Sequence, residues 1–156
     1  MRLTAFTDYT LRVLVYLGVH PGRQATIADI SASYGISSNH VMKVVHHLGK
    51  RGYIKTLRGK GGGMCLARAP ELVNVGELVR GTEEMALVEC FDEATSCCAI
   101  QGACRLRGLL AQALEAFFAE LDHHTLADLL APRKQLAKVL LFPPPPRDTV
   151  RQSGPL

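Results

Sequence analysis

Four cysteines, Cys90, Cys97, Cys98 and Cys104, fall within fifteen residues of one another. Thiolates are soft ligands and select iron–sulfur clusters, zinc or copper(I). The run holds no Cys-x-x-Cys pair, so a zinc ribbon or finger is poorly supported. Thiols spaced this widely along a loop suit a body with several metal corners better than one tetrahedral ion. Two other readings stand beside the metal one: reduced thiols buried as small apolar groups, and a reversible disulfide switch. The fifth cysteine, Cys65, falls in a predicted strand and reads as structural.

A second constellation is polar and basic. Ser37, Ser38, Asn39, His40 and Lys43 open a predicted helix, where a groove-reading helix presents its first turns to base edges. Asn39 has the geometry to pair bidentately with adenine, and Ser38 suits bases or phosphates. Lys43, with Arg58 and Lys60 beyond the helix, suits phosphates or the minor groove, and His46 suits a phosphate. Histidines beside a helix turn more often pack than bind, and that alternative stands for His40, His46 and His47. Gly59-Lys60 is followed by Gly61 rather than Ser or Thr, so the glycine-rich run is not a nucleotide-binding loop.

The elements that must position these residues follow from local signals. Asp8–Leu17 reads as a helix, with Leu11, Leu14, Val15 and Gly18 on one face. A short helix at Ile27–Tyr34 has Thr26 as N-cap and Gly35 where a left-handed residue belongs. The third begins at Ser37 or Ser38, buries Val41, Val44, Val45 and Leu48, and stops at Gly49 or Gly52. Helix, short turn and helix make a helix-turn-helix. Two β-prone runs, Tyr53–Leu57 and Met64–Ala67, flank a glycine-rich tip and form a wing. Val75–Arg80 reads as one more short helix. A wide apolar stripe through Leu106, Leu109, Leu110, Ala113, Leu114, Phe117, Phe118 and Leu121 predicts a long helix. A second copy of the chain is its simplest partner, and folding back onto its own domain is the alternative.

The resulting organisation is a mainly α chain: a winged helix-turn-helix over 1–80, a cysteine-bearing loop over 81–104, a dimerisation helix over 105–131 and a Pro-rich, flexible tail over 132–156. The 156 residues are 47% hydrophobic, 21% charged and 6% aromatic, enough apolar material for a core. Residues 1–68 carry ten Lys/Arg against two Asp/Glu, while residues 69–130 carry three against eleven. A basic first half meets a polyanion, and the acidic part does other work. No apolar stretch approaches the roughly 20 residues that span a bilayer, and the first residues lack a signal core. Both point to the cytoplasm with no membrane partner. No paired carboxylates or Ser-His-Asp set argue for an enzyme.

Several segments together carry a resemblance. They are Leu3-Thr4-Ala5-Phe6-Thr7-Asp8-Tyr9, Ile36-Ser37-Ser38-Asn39-His40-Val41-Met42-Lys43, Gly52-Tyr53-Ile54, Arg58-Gly59-Lys60-Gly61-Gly62-Gly63, Glu89-Cys90-Phe91, and Cys98-Ala99-Ile100 through Cys104-Arg105-Leu106. On them the sequence resembles the NsrR-type nitric-oxide-sensing regulators, relatives of the IscR-type iron–sulfur regulators. The resemblance implies a homodimeric winged-helix repressor that binds double-stranded operator DNA, carries an iron–sulfur cluster and answers to nitric oxide. It implies Cys90, Cys98 and Cys104 as cluster ligands, with Cys97 the neighbouring alternative for the second, and Asp8 of the other subunit as the fourth. IscR-type proteins place a His three residues after the last Cys; Arg107 stands there, so 4Fe-4S is implied over 2Fe-2S. Ser38 stands where the family commonly has Arg, so the operator sequence is expected to differ. A thiol-based or 2Fe-2S redox-sensing transcription factor is the alternative.

Overall fold

The computed structural model describes residues 2–57, 59, 62–91 and 98–140. Helix α1 (Ala5–Val19) is followed by α2 (Ile27–Tyr34) and α3 (Ser38–Lys50), then strands β1 (Ile54–Leu57) and β2 (Gly63–Leu66). A 3-10 turn at Pro70–Leu72 leads into α4 (Val75–Arg80). Two more such turns, Glu89–Phe91 and Gln101–Ala103, precede α5 (Arg105–Asp122), α6 (Leu126–Leu129) and α7 (Arg133–Leu140).

Local chemistry sets these bounds. Thr4 caps α1, its hydroxyl accepting from Thr7 N at 3.3 Å, so the helix begins three residues before the predicted Asp8. Thr26 and Asp29 form a reciprocal capping box at α2, and Gly35 ends that helix at φ 65°, a left-handed conformation that costs glycine little. Ser37 caps α3.

The two strands pair antiparallel, Lys55 opposite Cys65 and Thr56 opposite Met64. Ala25 extends the ladder by exchanging hydrogen bonds with Met64 at 3.0 and 2.8 Å. The wing is thereby laced to the segment before α2. A Cβ on Gly63 would lie 2.8 Å from the Ala25 carbonyl oxygen. That obstacle is backbone held by two hydrogen bonds. Gly63→Ala is expected to cost about 1–3 kcal/mol, read as a lower denaturant midpoint at unchanged slope. A loss below about 0.5 kcal/mol would mean that the hairpin is not pressed against Ala25.

α1 is the central element: Thr7, Thr10, Val13 and Leu14 are fully buried, and the helix packs on α3, β2, α6 and α7. A satellite core of Val75, Val79 and Phe118, joined by Leu114, Phe117 and Leu121, fastens α5 to α4. Asn74 caps α4 and donates from Nδ2 to the Asp122 carbonyl at 2.8 Å. Arg80 grips the Asp122 carboxylate through two bonds of 2.6 and 2.7 Å.

Two predicted extents are corrected. The helix expected over 105–131 ends at Asp122. His123 and His124 turn the chain back, Val75 N donates to His124 O, and Thr125 restarts a helix with its own Asp128 capping box. The expected flexible tail from 132 begins with α7. Leu140 is buried, Ser33 donates to its carbonyl, and Arg133 donates to Gly18 O at 3.1 Å. Leu136, Ala137 and Leu140 face the α1 core, and that packing orders the helix. The Pro-rich segment from 142 lies outside the described residues.

Candidate nucleic-acid interface and thiol pocket

α3 buries Val41, Val44, Val45 and Leu48 against α1 and leaves Ser38, Asn39, Lys43 and His46 exposed. Asn39, Lys43 and His46 fall at i, i+4 and i+7, one outward stripe. Met42, 52% exposed, extends the stripe with an apolar group suited to a thymine methyl. Ser37 is committed to the cap, its hydroxyl 3.0 Å from His40 Nδ1. His40 is exposed, yet it also leans on the Tyr9 ring at 5.8 Å between centroids. His47 packs edge-on against Phe6 at 5.3 Å, and burial, aided by Arg51, holds its pKa below the usual histidine value. It is a packing histidine. Arg58 and Lys60 lie outside the described residues; Gly59 between them turns at φ 108°.

Beyond α4, Cys90, Cys98 and Cys104 line one open pocket of about 510 Å³, walled by Ile100, Leu106 and Leu110. Cys90 comes from the turn Glu89–Phe91, and Cys104 is the residue that opens α5. Cys97 lies outside the described residues, and Cys65 is half-buried on β2, away from this pocket. Among the described residues no three His, Cys, Asp or Glu side chains converge enough to hold one metal ion. A single ion needs its sulfurs near about 2.3 Å from one point; thiols spread around a shared apolar hollow fit a larger polynuclear group. Cys104 stands at the N-terminal end of the 18-residue α5, where the helix dipole favours negative charge, and the three sulfurs are soft donors that suit iron.

Asp8 is not on this pocket's wall. It sits in the first turn of α1, half-exposed, gripped by Arg12 through Nε at 3.0 Å and Nη2 at 2.8 Å. Arg12 in turn lies against the Tyr9 and Tyr34 rings. Tyr34 donates to the Arg12 carbonyl, and burial pushes its pKa up to about 12. The same end of α1 is tied to the start of the cysteine loop. Glu83 accepts from Thr4 N at 2.7 Å and from the Thr4 hydroxyl at 3.0 Å, while the Thr7 hydroxyl donates to Thr82 at 2.8 Å. Burial alone would raise the Glu83 pKa; the bonds from Thr7 and Thr4 outweigh it and hold it low. The first turns of α1 therefore touch the thiol-bearing loop through Thr4 and Thr7, and α3 through Phe6 and Tyr9. Sequence reasoning missed Thr82 and Glu83.

The family described as "Iron-dependent Transcriptional regulator", Rrf2, matches residues 3–132. The chain belongs to the Rrf2 family. The HTH-type transcriptional regulator NsrR of Bacillus subtilis is 46% identical over 142 residues, covering 90% of this chain and 97% of that one. The protein of the same name from Geobacillus kaustophilus is 48% identical with the same coverage. Among solved structures, IscR of T. potens superposes with a TM-score of 0.69 at 22% identity, covering 86% of this chain and 90% of that one. CymR, the global cysteine regulator of B. subtilis, gives 0.68 at 22%, covering 85% and 98%. At such identities these two structures speak for the fold alone.

This Rrf2 chain is thus a DNA-binding transcriptional regulator with a winged-helix fold, and its relatives are regulators rather than enzymes. Among the described residues no helix is long and apolar enough to cross a membrane. Lys43→Ala is expected to weaken duplex binding evenly across sequences and to flatten the dependence of log affinity on log salt by about one unit. Titrating a labelled duplex at several salt concentrations measures this; an unchanged slope removes Lys43 from the phosphate contacts.

Proposed function

We propose that this regulator is a homodimeric repressor whose grip on operator DNA is set by an iron–sulfur cluster, 4Fe-4S, that reacts with nitric oxide. Cys90, Cys98 and Cys104 of one subunit would hold the cluster, with Asp8 of the partner subunit completing it. The observation that supports this reading best is the single hollow shared by the three thiols. When bound, the cluster supplies iron open to attack by nitric oxide.

The chain's own residues supply the coupling. Asp8 would be the hardest and weakest of the four donors, since a carboxylate holds such iron less firmly than a thiolate does. In the single chain Asp8 is held by Arg12 instead. The turn that carries Asp8 also carries Phe6 and Tyr9, which touch His47 and His40 of α3. A small rotation there re-aims the recognition helix. Two such helices must lie about 34–36 Å apart to read successive major grooves. A coupling of about 1–3 kcal/mol, 5- to 150-fold in affinity, is enough for regulation.

The test is an oxygen-free preparation followed by visible absorption and native mass spectrometry, with duplexes selected in vitro as DNA. The expected result is a brown protein with iron and sulfide whose DNA affinity falls on adding nitric oxide. A colourless, metal-free protein whose affinity follows thiol oxidation would replace this reading with a thiol switch.

A further inference from the structure

A second hollow, about 660 Å³, shares no lining residue with the pocket of Cys90, Cys98 and Cys104; it lies between the end of α1, the wing strands, where Cys65 lines it, and the α6–α7 segment. Leu17, Leu66 and Leu130 supply apolar wall. Arg23, Lys55, Arg68 and Arg133 supply positive charge, against Glu71 as the acidic residue of the lining. Arg68 is fixed by bonds to the carbonyls of Gly52 and Arg51, and Arg133 by its bond to Gly18 O. The side chains of Arg23 and Lys55 make no hydrogen bond or ion pair among the described residues.

Two further residues of the lining single this hollow out. Among the described residues, the buried side-chain polar atoms without a partner are His20 Nε2 and Gln24 Oε1, and both residues line it. His20 is only 9% exposed. Buried polar atoms almost always find partners, and each exception calls for a cause. Small-molecule sites are hollows of roughly 300–1,000 Å³ with mostly apolar walls and a few convergent polar groups.

We propose that this hollow binds a small organic anion: one carboxylate or phosphate head on a short apolar body. The head meets Arg23 and Lys55, and the body lies along Leu17 and Leu130, beside the buried His20 and Gln24. Arg68 and Arg133 are held in place beforehand, so they add field without being ordered on binding. The occupant would brace the wing strands against α1 and α7, independently of any cluster.

Methyl and histidine NMR of the full chain tests this with four probes: hexanoate, phenyl phosphate, inorganic phosphate as head alone, and hexanol as body alone. Hexanoate or phenyl phosphate should shift Leu17, His20 and Leu130 saturably, and which of them binds tighter identifies the head. The double variant Arg23→Gln/Lys55→Gln, at exposed positions that make no bond, should keep the fold and weaken that probe about tenfold or more. Inorganic phosphate giving the same shifts would mean an adventitious ion only, and hexanol binding equally would mean an apolar cleft; either overturns the proposal. So does silence from both anionic probes. So does a duplex that moves the same signals while neither anionic probe does, which would make the cations DNA contacts.

Discussion

Protein carrying Cys90→Ala, Cys98→Ala and Cys104→Ala together is expected to emerge from an oxygen-free preparation colourless, without iron or acid-labile sulfide, and indifferent to nitric oxide. Loss of one thiolate would leave Cys97, adjacent to Cys98 in sequence, as a substitute donor. Loss of all three leaves Cys97 and one carboxylate, too few soft donors for the group. The pocket walls Ile100, Leu106 and Leu110 survive in this variant, so the fold is expected to hold and far-ultraviolet dichroism to match the parent. Iron analysis and visible absorption decide the matter. Normal iron in the triple variant would move the ligand set elsewhere in the chain. Asp8→Ala is the milder companion: cluster retained, with an altered spectrum or an altered response to nitric oxide.

Leu106→Glu with Leu109→Glu should turn a dimer into monomers and lower operator affinity by about 10²–10⁴-fold, the usual gain from joining two binding modules. α5 is divided along its length. Leu114, Phe117, Phe118 and Leu121 are spent on α4 within the same chain. Leu106 and Leu109 stand 59% and 62% exposed, close to Ile100 in sequence and likewise bare at 64%. Burying such leucines against a second copy gains roughly 1.5–3 kcal/mol each; glutamates there would have to be desolvated or kept apart. Sedimentation velocity reads the association state, and the exposure of both sites keeps the monomer folded. A dimer that withstands both substitutions would place the contact between subunits away from the start of α5.

The DNA-reading half was legible because its signals are local. Thr26 with Asp29, Gly35, and Ser37 before a four-residue apolar repeat fix α2 and α3 within a residue or two of their expected bounds. Val75–Arg80 matched for the same reason: Asn74 caps it from the adjoining position. The break after Asp122 was also written locally, in Thr125 and Asp128, but the apolar stripe leading up to it favoured one unbroken helix. α7 escaped notice because its three inward residues make too short a face to stand out beside the prolines. Cysteine spacing grouped the thiols, and the structure puts three of them on one hollow. The tie between Glu83 and Thr4 joins residues 79 apart in sequence. No pattern within a helix or turn announces such a contact; it exists only after α1 and α4 have packed.

The return of the chain over α1 separates what recognition needs from what folding needs. The family match stops at residue 132, and every cysteine and every candidate DNA contact lies before it. Yet Leu140 fills a gap beside α1 and α2, and Arg133 satisfies the carbonyl of Gly18. A shortened gene product ending at 131 would keep all its cysteines and lose the plug that closes the core beside α1. Its defects would surface first as poor yield and heat sensitivity, not as altered choice of promoter.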